Sequence, residues 1–198
     1  MKYNVIAIER EYASGGQEIA RRTAEHLGIP CYGREILDLA AQRVGKSPEY
    51  IEHLEETGTN SFLYSFYMMS KQAAQGNMTS NEDALYLAEW KIIHELANQG
   101  PAVFVGRCAS YVLKERKDLL SVFVRADFDF RIRRAVEEYG VERERADWTL
   151  RRWDKRRASY YSSNTGVKWD DPRNYHMALD SGRLGIERCA QIIGEAAR

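Results

Sequence analysis

The chain is poor in the residues that build a disulfide framework or a zinc site. Its 198 residues include three cysteines, Cys31, Cys108 and Cys189, far apart and odd in number. Neither a paired scaffold nor a CxxC-type metal motif can be drawn through them, and they are expected to be reduced, partly buried small side chains. The four histidines, His26, His53, His94 and His176, are equally scattered, and no zinc site is visible. An excess of charge is also missing: 29 Lys and Arg balance 29 Asp and Glu, which argues against nonspecific binding to a nucleic-acid backbone. No apolar run approaches the roughly 20 residues of a membrane span, and MKYNVIAIER has no secretory core. The expectation is a soluble cytoplasmic protein, without repeats or low-complexity segments.

What is present is an alternation of short apolar runs and amphipathic stretches, the pattern of a parallel α/β sheet. Val5, Ile6, Ala7 and Ile8 read as a buried central strand. Ser14, Gly15 and Gly16 form a turn, and from Gln17 the positions Ile19, Ala20, Thr23, Ala24 and Leu27 recur at helical spacing until Gly28 and Pro30 close the helix. Such a turn presents the N–H groups of Gly15, Gly16 and Gln17 to an anion, with the Ser14 hydroxyl as a further donor. Glu18 suits the positive helix end but repels a phosphate unless it meets magnesium or an arginine. Further strands are expected at 101–105, 121–126 and 177–180. Helices are expected at 34–44, from Ser80 or Asn81 to Gly100, from Asp127 to Gly140, at 142–161 and from Leu184. Ser47-Pro48 reads as another helix start. It opens a stretch rich in Tyr, Phe and Met that either packs on itself or a second subunit, or walls a base-binding pocket.

Several of these stretches, IAIEREYASGGQEIARR, VGR at 105–107, DKRRASYY from Asp154, TGVKWDDPRNY from Thr165 and LDSGRLGIE from Leu179, resemble in kind and order the cytidylate kinase-like family. The resemblance implies a three-layer α/β/α parallel sheet of the P-loop kinase type. It also implies a single domain over 1–198, with a core at 1–46 and 80–198, a helical insert at about 47–79 and a helical lid at about 150–175. When the phosphate loop of such kinases is laid on the chain with the helix registered through Ala24, Glu25 and Leu27, Arg10 takes the first glycine's place. Gly16 then takes the lysine's place and Glu18 that of the Ser/Thr. The lysine balances β/γ-phosphate charge and the hydroxyl holds magnesium, so this departure is chemical, and Arg10 is the candidate to replace the lost charge.

The same resemblance implies the other roles. Arg107, after Gly106, would clamp the acceptor phosphate, with Arg34 beside it; the Asp that cytidylate kinases carry before that Gly-Arg is Val105 here. The lid would bring Arg152, Arg156 and Arg157 to the transferring phosphoryl group, with Asp154 orienting them. Arg131 and Arg134 are the next phosphate contacts, Tyr160, Tyr161 and Trp169 an aromatic lid hinge, and Asp180 and Ser181 the opening of a loop near the donor adenine. The implied activity is phosphoryl transfer from ATP, with Mg2+, to a pyrimidine nucleoside monophosphate or similar phosphorylated acceptor. The other readings are a noncatalytic nucleotide or phosphate sensor, and a structural homodimer whose aromatic insert binds a protein partner.

Overall fold

Alternate residues of the first strand bury opposite faces of the sheet. Within β1 (Val5–Arg10), Val5 and Ala7 join one core, Ile6 and Ile8 the other, and all four are without exposure. A strand covered on both sides requires such an unbroken apolar run. The computed structural model describes residues 1–45 and 81–198. The further strands are β2 (Cys31–Tyr32), β3 (Ala102–Val105), β4 (Leu119–Arg125) and β5 (Met177–Asp180). All neighbours pair in parallel, in the order β2-β3-β1-β4-β5.

Helices cover both faces, giving the three-layer α/β/α architecture. On one side α1 (Gly16–Leu27) and α8 (Ile186–Ala197) pack Ile19, Ala20, Ala190 and Ile193 onto Ile6, Ile8, Val122 and Val124. On the other, α2 (Arg34–Val44) and α3 (Asn81–Gln99) bring Ile36, Leu37, Ile92 and Ile93 to Val5, Ala7, Phe104 and Phe123. Each such Ile, Leu or Phe contributes roughly 1.5–3 kcal/mol by leaving water. The remaining helices are α4 (Ala109–Val112), α5 (Phe128–Glu137), α6 (Arg143–Thr165) and α7 (Ser181–Leu184), with a 3-10 turn at Pro172–Asn174.

The sequence expectations differ from this at a few places. Strand β2, of two residues, is too short to show periodicity, and α4 forms just after the β3 turn. Helix α5 ends at Glu137 rather than running to Gly140, and α6 continues past Tyr161 to a left-handed Gly166. The C-terminal helix expected from Leu184 is two, because Gly185 at φ 81° breaks the run between α7 and α8. The helix start at Ser47-Pro48 and the insert at 47–79 lie outside the described residues. The three cysteines are free thiols, and burial raises the pKa of each. No helix among the described residues is long and apolar enough to cross a membrane.

β1 has β3 on one side and β4 on the other, so the chain leaves it first toward one edge and later returns to fill the opposite edge. Ligands of open parallel sheets bind beside such a switch point, at the carboxyl ends of the strands. There lie Arg10, Gly106 and the turn that opens α1.

Candidate functional site

The chain leaves β1 through Glu11, Tyr12 and a left-handed Ala13 (φ 59°), and enters α1 over Gly15 (φ 79°) and a helical Gly16. The N–H groups of Gly15, Gly16 and Gln17 have no backbone partner among the described residues, the usual state of a first helical turn. Ser14 is fully buried and its Oγ donates to the carbonyl of Glu11 at 2.9 Å. Its carbonyl accepts from Ser181 Oγ at 2.6 Å, which ties the turn to the start of α7. The Ser14 hydroxyl therefore faces inward, where it serves the turn's shape rather than offering a donor to an anion.

A second turn follows β3. Gly106 (φ 70°), Arg107 (φ 57°) and Cys108 (φ 55°) are all left-handed, a costly arrangement for residues with side chains. It is held by Gly106 N–H to Ile8 O at 3.0 Å and Ala109 N–H to Gly106 O at 3.0 Å. Arg107 lies 3.6 Å from Glu89 Oε1, and the other oxygen of Glu89 accepts the Tyr160 hydroxyl. Glu89 is wholly buried, and burial pushes its carboxyl up to about 7.

Helix α6 closes the third side. Arg157 donates to the carbonyl of Arg10 at 3.0 Å, and its guanidinium lies over the Tyr12 ring. Arg10, Arg107, Arg156 and Arg157 thus line one cavity of about 150 Å³, together with Glu9, Cys108, Trp153, Tyr160 and Tyr161. Burial lowers the pKa of Arg10, Arg107 and Arg157, and the charge of Arg10 lowers the latter two further; Arg157 falls to about 9. Glu9, 4% exposed, has its own pKa raised by burial despite Arg10. Crowded guanidiniums in a poorly solvated cavity favour an anion, above all one that can be gripped by two donors at once.

The other expected residues are placed differently. Asp154 accepts Tyr12 N–H at 2.7 Å and Arg131 Nη1 at 2.5 Å, so it anchors α6 to the turn and to α5. Arg131 is buried in that network, also 3.5 Å from Glu11. Arg134 pairs with Glu18 Oε2 at 3.1 Å, while Glu18 Oε1 pairs with Arg22 at 2.8 Å. Arg152 stacks on Trp148 on the exposed side of α6, and is not among the residues lining the cavity. Arg34 is exposed at the start of α2, 3.9 Å from Asp38. Tyr161 and Trp169 are core residues: Tyr161 is hydrogen-bonded to Ser110, and Trp169 packs edge-on against Phe123. Of this trio Tyr160 and Tyr161 border the cavity. Asp180 and Ser181 open a helical turn, with Asp180 capping Gly182 and Arg183.

Magnesium would need oxygen ligands near the phosphate turn. Both oxygens of Glu18 are held by arginines, both of Asp154 by Tyr12 and Arg131, and the Ser14 hydroxyl by Glu11. Glu11 Oε2 accepts Ala126 N–H at 3.0 Å. Among the described residues no group of three His, Cys, Asp or Glu side chains could hold a metal ion unaided, so a magnesium here would depend on the oxygens of its ligand and on water.

Two acids of the site are marked in the sequence by nothing but their position. Glu9 interrupts a buried strand just before Arg10, and Glu89 lies four and eight residues from Leu85 and Ala97 on the apolar side of α3. A charged residue on a buried face was the available signal.

An all-parallel sheet of this order, with a turn and helix after its first strand and arginines at the carboxyl edge, is the fold of the P-loop kinase type. The chain belongs to the cytidylate kinase-like family, whose model matches residues 5–183. No curated protein matches it. Among solved structures it is similar to an uncharacterized protein from Eubacterium ventriosum ATCC 27560, at 25% identity and TM-score 0.73, covering 98% of this chain and 97% of that one. It is also similar in fold to the shikimate kinase from Acinetobacter baumannii in complex with shikimate, at 15% identity and TM-score 0.54, over 98% and 92% of the two chains. The shikimate kinase from Bacteroides thetaiotaomicron shares the fold at 14% identity and TM-score 0.54, over 97% of each chain.

Proposed function

We propose that the protein is a phosphotransferase that moves a phosphoryl group from ATP to a pyrimidine nucleoside monophosphate or a similar phosphorylated acceptor. The observation that carries this reading is the convergence of Arg10, Arg107, Arg156 and Arg157 on one cavity, with the root of Arg10 packed against Gly16 of the turn that opens α1. In this reading the donor's phosphates meet the N–H groups of Gly15, Gly16 and Gln17. Arg107 grips the acceptor phosphate, and Arg156 and Arg157 offset charge on the oxygens in flight. Arg34, at the start of α2, reaches the acceptor from outside the cavity. Phosphoryl transfer asks mainly for positioning and charge neutralisation, so the cavity needs no strong general base. Family membership brings ATP and Mg2+ into the reading in general; since the acids near the turn are already engaged, no step is assigned to the metal.

The alternative, a phosphate or nucleotide sensor without turnover, is favoured by one feature: Gly16 stands in the lysine's place while Ser14 and Glu18 are engaged elsewhere. Calorimetric titration with ATP and CMP, followed by an assay for ADP release, separates the two. Transfer is expected to give ADP only when the acceptor is present. Binding with no ADP from CMP or from the other nucleoside monophosphates would favour the sensor, and absence of binding by any nucleotide would sink both.

A further inference from the structure

Gly16 is not a glycine for the sake of its backbone. Gly15 beside it is left-handed at φ 79°, but Gly16 is the first residue of α1 with an ordinary helical φ that any residue adopts. What forbids a side chain there is Arg10. A Cβ built on Gly16 would stand 2.4 Å from Arg10 Cβ and 2.7 Å from its Cγ. These are the root of the arginine, which cannot swing aside as a side-chain tip can. At the other end of the same side chain, a Cβ on Gly106 would stand 2.1 Å from Arg10 Nη1. Arg10 therefore runs from the turn that opens α1 to the turn that carries Arg107, through space left open by two glycines. Its guanidinium ends in the cavity shared with Arg107 and Arg157.

We propose that Arg10, delivered from the strand, does the charge-balancing work of a phosphate-loop lysine, and that Gly16 and Arg10 are reciprocal: a cation reaches the phosphates from one position or from the other. This rests on the reading of the cavity as a phosphate site. A lysine added at position 16 alone cannot share the space with Arg10, so charge restored there should help only when Arg10 has been cut back.

The test is calorimetric titration of the 198-residue protein with ATP and with inorganic pyrophosphate, using wild type, Arg10→Gly, Arg10→Lys, Gly16→Lys and the double variant Arg10→Gly with Gly16→Lys, since glycine at position 10 removes the Cβ as well as the Cγ that a side chain at position 16 would meet. Thermal melts are recorded for each to confirm folding. Arg10→Gly is expected to weaken binding about tenfold or more, the usual loss with a charge-assisted hydrogen bond. Arg10→Lys should retain most of the affinity. Gly16→Lys alone should melt lower than wild type, whereas the double variant should melt above Gly16→Lys and bind more tightly than Arg10→Gly. A merely structural Arg10 would not produce this rescue. Unchanged affinity in Arg10→Gly, or a folded double variant that binds no better than Arg10→Gly, overturns the proposal while leaving the phosphate site standing. A wild-type protein that binds neither compound removes the phosphate reading and this proposal with it.

Discussion

Arg107 and Cys108 hold left-handed conformations at a cost of roughly 1–3 kcal/mol each, and the strain aims Arg107 at the cavity while Glu89 anchors it from behind. That anchor has a pH dependence whose sign is fixed by burial. The Glu89 carboxyl is pushed up to about 7 in the folded chain from an ordinary value of 4.5. Between those values the native state binds the proton more tightly than the unfolded state, so stability present below pH 4.5 is progressively lost as pH rises through 7. Urea unfolding of wild type should therefore show falling stability from pH 5 to pH 8, by an amount on the order of 3 kcal/mol from this group. Glu89→Gln should flatten that fall, and an equally steep profile in the variant would exclude Glu89 as its source. Gly15 is a second test at single-residue scale. Its φ of 79° and the Ile186 Cδ1 that would stand 2.2 Å from a new Cβ predict that Gly15→Ala loses about 1–2 kcal/mol, since the side chain of Ile186 can move but the backbone conformation cannot. Denaturant midpoints measure this directly.

Among the elements, α6 is joined to the turn between β1 and α1 by one carboxylate. Asp154 accepts Tyr12 N–H with one oxygen and Arg131 with the other, so Asp154→Asn can keep only one acceptor and turns an amide toward a buried guanidinium. A loss of about 2–4 kcal/mol is expected, read as a lower urea midpoint at an unchanged slope; a variant as stable as wild type would show that packing alone seats α6. The helix itself was legible in the sequence, as were β1, β3, β4 and β5, because apolar runs and helical spacing are local properties. β2 was not, since two residues that gain their place from pairing with β3 carry no period. Nor was the division of α7 from α8, which depends on the conformation of Gly185. The arginines were visible as a set, but not their partners. DKRRASYY looks like one charged stretch, yet Asp154 turns to Arg131, Arg157 to the carbonyl of Arg10, and Arg156 onto Trp153. Which of them reach the cavity is decided by helical rotation and by acids on distant elements, and neither is written in the stretch itself.

At the scale of the whole molecule, charge is balanced in number but not in place. With 29 residues of each sign, the carboxyl edge of the sheet still gathers Arg10, Arg107, Arg156 and Arg157 around one cavity, and burial and mutual repulsion there oppose folding until an anion arrives. Binding to the folded state alone then appears as stability. At a ligand concentration a hundredfold above Kd the gain is about 2.7 kcal/mol, or a rise in Tm of roughly 5–10 °C for a chain of this size. With Glu18, Asp154 and Ser14 already engaged by protein groups, the proposed phosphate site relies on the arginines rather than on a protein-held cation. Thermal melts with ATP should therefore rise by similar amounts in EDTA and in magnesium, and the rise should shrink with added salt, because salt weakens the attraction between the free anion and the arginines before they meet. A shift seen in magnesium and abolished by EDTA would show instead that the protein takes up ATP as its magnesium complex, with the metal carried on the phosphates.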